Sequence, residues 1–166
     1  MGSKEAEGLE LRLRRLEDIE AIKTLKAQYC EACDGGWDER SSHNAEKMVA
    51  LFTEDGVWDG GVYGQRVGRT ALLDYYRQTV REAPFGFHLL TNPIIEVRGD
   101  RATGRWHLVI SITQRDQSAM LIGGVFDDDY ARTPEGWRIK RSRFSLALHA
   151  THQGSWTPGA PAKLSR

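Results

Sequence analysis

Long apolar runs are missing from this sequence. None reaches the roughly 18 residues that a membrane-crossing helix requires, and the N-terminus is charged where a secretory signal would turn apolar. The expectation is a cytoplasmic protein with no membrane partner. A net charge is missing too: 23 Lys plus Arg balance 23 Asp plus Glu, so no overall field draws the chain to nucleic acid or to an acidic surface. The one local basic excess, Arg138-Ile-Lys140-Arg141-Ser-Arg143, alternates as one face of a strand would, and nucleic acid is not an expected partner. Cysteine is scarce. A redox pair would open a helix, where the dipole lowers the thiol pKa, whereas Cys30 and Cys33 close one. No second pair stands at metal-ligand spacing, so the two read as buried thiols in a reducing compartment. There is no Gly-x-Ser-x-Gly elbow, phosphate loop or dinucleotide fingerprint. No cofactor and no metal are expected.

What is present is an ordinary globular balance, 40% apolar and 28% charged over 166 residues, which suits one domain with its own core. Leu9, Leu13, Leu16, Ile19, Ile22, Leu25 and Tyr29 recur at three- and four-residue steps, which predicts an amphipathic helix from Leu9 to Cys33, stopped by Gly35-Gly36. A shorter helix is expected over Asn44–Phe52, a small hairpin over Gly56–Gly68 and a third helix over Arg69–Arg81. Four β-rich runs follow, Phe85–Arg98, Ala102–Arg115, Ser118–Arg132 and Trp137–His149, broken by turn residues. Helices first and a bent antiparallel meander after them give an α+β domain over residues 9–150, with the helices covering one sheet face. The segment 151–166, rich in Gly, Pro, Ala and Ser, is expected to be a mobile tail.

Three residues stand out chemically. Asp34 puts a carboxylate at the negative end of a helix dipole, a cost of ~0.3–1 kcal/mol; it is either a surface or capping residue, or it has a hydrogen-bonding partner. His88 interrupts an apolar strand and shares its face with Gly86 and Leu90; it is either a satisfied core histidine or that partner. Tyr29 is either a core aromatic or a hydroxyl donor. Of the other histidines, His43 falls in a polar loop, His107 on the strand parity opposite to Trp106, Leu108 and Ile110, and His149 and His152 near the end.

The run Asp18-Ile-Glu-Ala-Ile-Lys-Thr-Leu-Lys26, followed by Tyr29, Cys33-Asp34-Gly35 and Trp37-Asp38, resembles the opening of SnoaL-like proteins of the nuclear transport factor 2-like superfamily. Phe87-His88-Leu89 with Pro93, Ala102 to Trp106, Gly123 to Phe126 with Tyr130, and Gly136-Trp137 continue the likeness from about Leu16 to His149. It is nearest to the bile-acid 7-alpha-dehydratase and scytalone dehydratase types. The resemblance implies a cone-shaped curved antiparallel sheet covered by three N-terminal helices, the cystatin-like α+β barrel. It implies catalytic roles for Tyr29, Asp34 and His88, with Ile110 where the bile-acid enzyme has a further aspartate.

On that footing His88 is the base, Asp34 fixes its tautomer and Tyr29 donates to a developing oxyanion. Phe52, Trp58, Tyr76, Phe87, Trp106, Leu108 and Ile110 would form an apolar wall for a flat or polycyclic, steroid- or polyketide-like substrate. The expected function is dehydration or isomerisation. The alternatives are a non-catalytic binding or oligomerisation module, or an epoxide hydrolase or cyclase, which would need an Asp–Arg–Asp set. The sheet face left bare by the helices predicts a homodimer or homotrimer.

Overall fold

The computed structural model describes residues 2–36, 43–152, 154 and 156, with side chains from residue 6 onward. Along residues 101–109 every second side chain is buried, the period-2 pattern of a strand with one covered face. That strand, β4 (Arg101–Thr113), pairs antiparallel with β3 (Phe85–Arg98) on one side and β5 (Ala119–Thr133) on the other. β5 continues to β6 (Gly136–His152), and β1 (Phe52–Asp59) lies parallel to β6 with the short β2 (Gln65–Val67) at the edge. The order β2-β1-β6-β5-β4-β3 makes one six-stranded sheet, curled and unclosed. The parallel β1–β6 pair was not legible in the sequence, because both strands carry ordinary alternation and only the long crossover between them sets their direction.

Three helices cover the concave face: α1 (Gly2–Cys33), α2 (Ala45–Ala50) and α3 (Arg69–Glu82). α2 is shorter than the expected Asn44–Phe52. Asn44 is its N-cap, accepting the Lys47 amide at 2.8 Å, and Phe52 already belongs to β1. α1 differs more. Its apolar stripe was expected to lie on the core, yet Leu9, Leu13 and Leu16 are all more than half exposed. Packing begins at Asp18, which accepts from the Trp137 indole N–H and pairs with Arg132, and continues through Ile22, Leu25 and Tyr29. β6 runs to His152, two residues beyond the expected domain end, and Trp156 donates its amide to Thr113 and its indole N–H to the Met120 carbonyl. The rest of the expected tail lies outside the described residues.

The core joins these layers. Phe52, Trp58, Leu72, Tyr76, Trp106, Leu108, Ile122, Phe126, Ile139 and Phe144 are buried between helices and sheet. Inside it sits a fully buried ion pair, Lys26 Nζ to Asp128 Oδ2 at 2.9 Å. Tyr130 donates to the same carboxylate at 2.7 Å and accepts from the Trp106 indole at 3.0 Å. The Lys26 ammonium also stands over the rings of Tyr29 and Phe126, 4.8 and 4.4 Å from their centroids, where the ring quadrupoles replace lost hydration.

Candidate active site

The end of α1 is docked onto the beginning of β3 by a two-bond bridge. Gly35 and Gly86 exchange backbone hydrogen bonds of 3.1 and 3.0 Å. Gly36 follows at φ +82°, and a Cβ there would meet the Pro84 carbonyl oxygen at 2.2 Å, so only glycine fits both the turn and the approach. The bridge sets Asp34 beside His88 across 54 residues of sequence. Asp34 Oδ1 accepts the His88 backbone N–H at 2.8 Å and contacts His88 Nδ1 at 2.7 Å. Asp34 is 8% exposed, and His88 is partly buried. These two donors supply the stabilisation that a carboxylate at a helix C-terminus lacks. A carboxylate accepts, so the proton between them belongs to Nδ1, and Nε2 of the neutral ring is left with a lone pair.

His88 faces inward with Gly86 and Leu90, and its direct cross-strand neighbour is Ile110. After Leu90 the strand bulges at Asn92, whose φ is +52°, and the inward parity passes to Ile95 and Val97. Trp106 and Leu108 point inward and are buried; Ile110, on the same parity, is partly buried. Phe87 does not join them. It is 37% exposed on the opposite face, as its position next to an inward His88 requires, and the expected wall loses that member.

Tyr29 is 4% exposed and its hydroxyl lies 3.3 Å from that of Tyr76. Tyr76, expected in the wall alone, thus also pairs with Tyr29, a contact for which two tyrosines on separate helices give no sequence signal. Phe52, Tyr76 and Phe126 surround the Tyr29 ring at 6.2 to 6.4 Å between centroids, an edge-to-face aromatic cluster. Burial pushes both tyrosines well above their ordinary pKa, so they stay protonated and can act only as neutral hydroxyls. Burial likewise pushes Cys30 up to about 12 and Cys33 well above the thiol range. Both cysteines are inert thiols. Among the described residues no group of three His, Cys, Asp or Glu side chains is placed to hold a metal ion, and no helix is long and apolar enough to cross a membrane.

A further site neighbour lies outside the expected set. His43, expected in a polar loop, packs its ring on the Gly35–Gly86 bridge and bonds Nδ1 to the Cys33 carbonyl at 2.7 Å. Nothing in its polar sequence context marks it; only the two glycines that leave room for a ring could have pointed there.

Residues 14–143 match the SnoaL-like domain. The chain belongs to the SnoaL-like family. An uncharacterized protein of Mycobacterium tuberculosis is 28% identical to this SnoaL-like domain over 135 residues, 79% of this chain and 86% of its own. Among solved structures, an NTF2-like protein with a cystatin-like fold from Novosphingobium aromaticivorans is 30% identical, with a TM-score of 0.60 over 83% of this chain and 87% of its own. The hexachlorocyclohexane dehydrochlorinase LinA-type3 from Novosphingobium barchaimii superimposes with a TM-score of 0.74 at 20% identity, covering 89% of this chain and 99% of that one. The fold is thus the NTF2-like, cystatin-like α+β fold, and enzymes that eliminate a leaving group are among the proteins built on it.

Proposed function

We propose that this SnoaL-like domain is a cofactor-independent lyase or isomerase, a dehydratase in its simplest form, acting on a hydrophobic small molecule of steroid- or polyketide-like shape. The observation that carries the reading is the double acceptance at Asp34 Oδ1, from both the amide and Nδ1 of His88. It fixes the tautomer that leaves Nε2 as a base. His88 Nε2 takes a proton from carbon next to a carbonyl, the electron pair moves into the carbonyl, and the oxygen gains charge. The Tyr29–Tyr76 hydroxyl pair can donate a proton toward that oxygen. In a dehydration, collapse of the enolate expels the β-hydroxyl, which leaves as water with the proton returned by the imidazolium. In an isomerisation the same proton returns to another carbon. Phe52, Trp58, Tyr76, Trp106, Leu108 and Ile110 keep the surroundings apolar, which strengthens each of these interactions.

The ring cluster around Tyr29 favours one alternative, a non-catalytic binding or scaffold module, because those rings occupy the interior that a substrate would need. The epoxide hydrolase reading fares worse. An Asp–Arg–Asp set does form, Asp18–Arg132–Asp100, but Asp100 is exposed in the β3–β4 turn. Ile110, the neighbour of His88, stands nine residue steps along β4 from Arg101, which is about 30 Å. The deciding experiment is a screen of β-hydroxyketones and hydroxy- and keto-steroids with the native protein and with His88→Ala. Turnover lost in the folded variant supports catalysis; tight binding with no turnover in either supports the module.

We further infer self-association through the convex sheet face. Leu89, Val109 and Leu148, all exposed, lie in one register row across β3 to β6. The second row along on the same face, past His107, Val125 and Ser145, reads Arg105, Asp127, Arg143, Asp59, with charges of alternating sign. A second copy related by a twofold axis can offer such a face both an apolar stripe and opposite charges.

A further inference from the structure

The Asp34–His88 geometry depends on how firmly the end of α1 is held on β3, and the bridge that holds it has only two backbone bonds. Above that bridge sits the His43 ring. A Cβ built on Gly35 would lie 2.7 Å from His43 Cδ2 and 2.8 Å from Nε2, and one on Gly86 would lie 3.3 Å from His43 Cε1 and 3.9 Å from His88 Cε1. The imidazole therefore fills the space that both glycines leave open, with one edge on the bridge and with His88 adjacent. Its other nitrogen is anchored. The Cys33 carbonyl can only accept, so the 2.7 Å contact makes Nδ1 the protonated nitrogen of His43. That bond caps one of the carbonyls left open at the C-terminus of α1, and Asn44 caps its neighbour, donating its amide to the Ala32 carbonyl at 2.9 Å. His43 Nε2 is buried and has no hydrogen-bonding partner among the described residues. A residue kept solely as a cap has no need of a second buried ring nitrogen, since a serine or threonine hydroxyl donates through its only polar side-chain atom.

We propose that His43 is a positioning residue of the candidate active site: clamped to Cys33 and seated on Gly35 and Gly86, it fixes the spacing at which Asp34 Oδ1 reaches both donors of His88. The proposal rests on the Asp34–His88 reading for its functional meaning, but its geometry can be tested without any substrate. In ¹⁵N-labelled native protein, the His43 nitrogen shifts should report protonation at Nδ1 and a bare Nε2; the opposite tautomer would overturn the proposal, with no variant needed. The His88 Nδ1–H proton should exchange slowly with water. In His43→Ala and in Gly35→Ala, whose added methyl would strike the ring, that exchange should quicken by about tenfold or more while the fold persists. The Gly35→Ala, His43→Ala double variant, with no ring left for the methyl to strike, should exchange no faster than His43→Ala alone; additive quickening would overturn the proposal. His43→Asn, which keeps the donor and loses the ring, should behave like His43→Ala; protection restored by His43→Asn would show a cap and nothing more, and would overturn the proposal. So would unchanged His88 exchange in folded His43→Ala. If His88 proves not to be catalytic, these exchange results stand regardless, so the two failures are distinguishable.

Discussion

At the scale of single residues the site divides by role. His88 is the proposed base, and its replacement by Ala or Gln should lower turnover by ~10²–10⁴, the usual worth of a positioned general base. Asp34→Asn should cost a comparable factor with the fold intact, because the amide can present a donor to Nδ1 and favour the other tautomer. Tyr29→Phe should cost less, about 10–10², since the ring packing stays and Tyr76 still offers a hydroxyl; steady-state rates on whichever compound the screen identifies check all three. Lys26 and Asp128 belong to stability. Removing one partner strands a buried charge, so Lys26→Met or Asp128→Asn should cost about 3–5 kcal/mol in urea unfolding, and Lys26→Met with Asp128→Leu less than either alone. The thiols and phenols set a pH dependence. Cys30 is raised to about 12 and Cys33, Tyr29, Tyr76 and Tyr130 well above their ordinary values, all chiefly by burial. The unfolded chain releases these protons first, so stability holds below about pH 8.5 and falls as pH rises toward 12. Urea midpoints at pH 7, 9 and 10 should decrease in that order; a rise would contradict the burial of these groups.

At the scale of elements the sequence was most legible where periodicity met burial. Trp106, Leu108 and Ile110 were read as one inward set with His107 outside, and β4 has that parity. The helix ends at Cys33 as Gly35-Gly36 dictated, and Asp34's awkward place on the dipole did signal a partner. What stayed hidden has physical reasons. Periodicity shows that a stripe is apolar but not what covers it, so Leu9, Leu13 and Leu16 looked like core and are exposed. Strand parity should have kept Phe87 out of the wall, because it sits next to His88. Contacts between distant segments, His43 on the glycine bridge, Tyr29 with Tyr76 and Lys26 with Asp128, leave no mark in local pattern. They arise only once α1, α3 and the sheet are folded together.

At the scale of the whole molecule, a curled sheet covered on one side by helices leaves apolar surface exposed among the described residues, including the row Leu89–Val109–Leu148 and the stripe Leu9–Leu13–Leu16 in the first half of α1. Apolar surface in such continuous patches usually marks an interface. Light scattering at tens of micromolar should therefore give the mass of a dimer or trimer of this chain. Val109→Glu, placed at the middle of the row, should reduce that mass without unfolding the protein. A monomeric native protein would remove the self-association proposal and leave the site chemistry untouched.

The most direct test of the chemistry is proton exchange at carbon. A ketone or hydroxyketone that the protein converts should take up deuterium from D₂O at the carbon beside its carbonyl, and native protein should catalyse that uptake at a rate tied to turnover. Folded His88→Ala should lose it by ~10²–10⁴. Uptake at the native rate in His88→Ala would contradict the assignment of His88 Nε2 as the base.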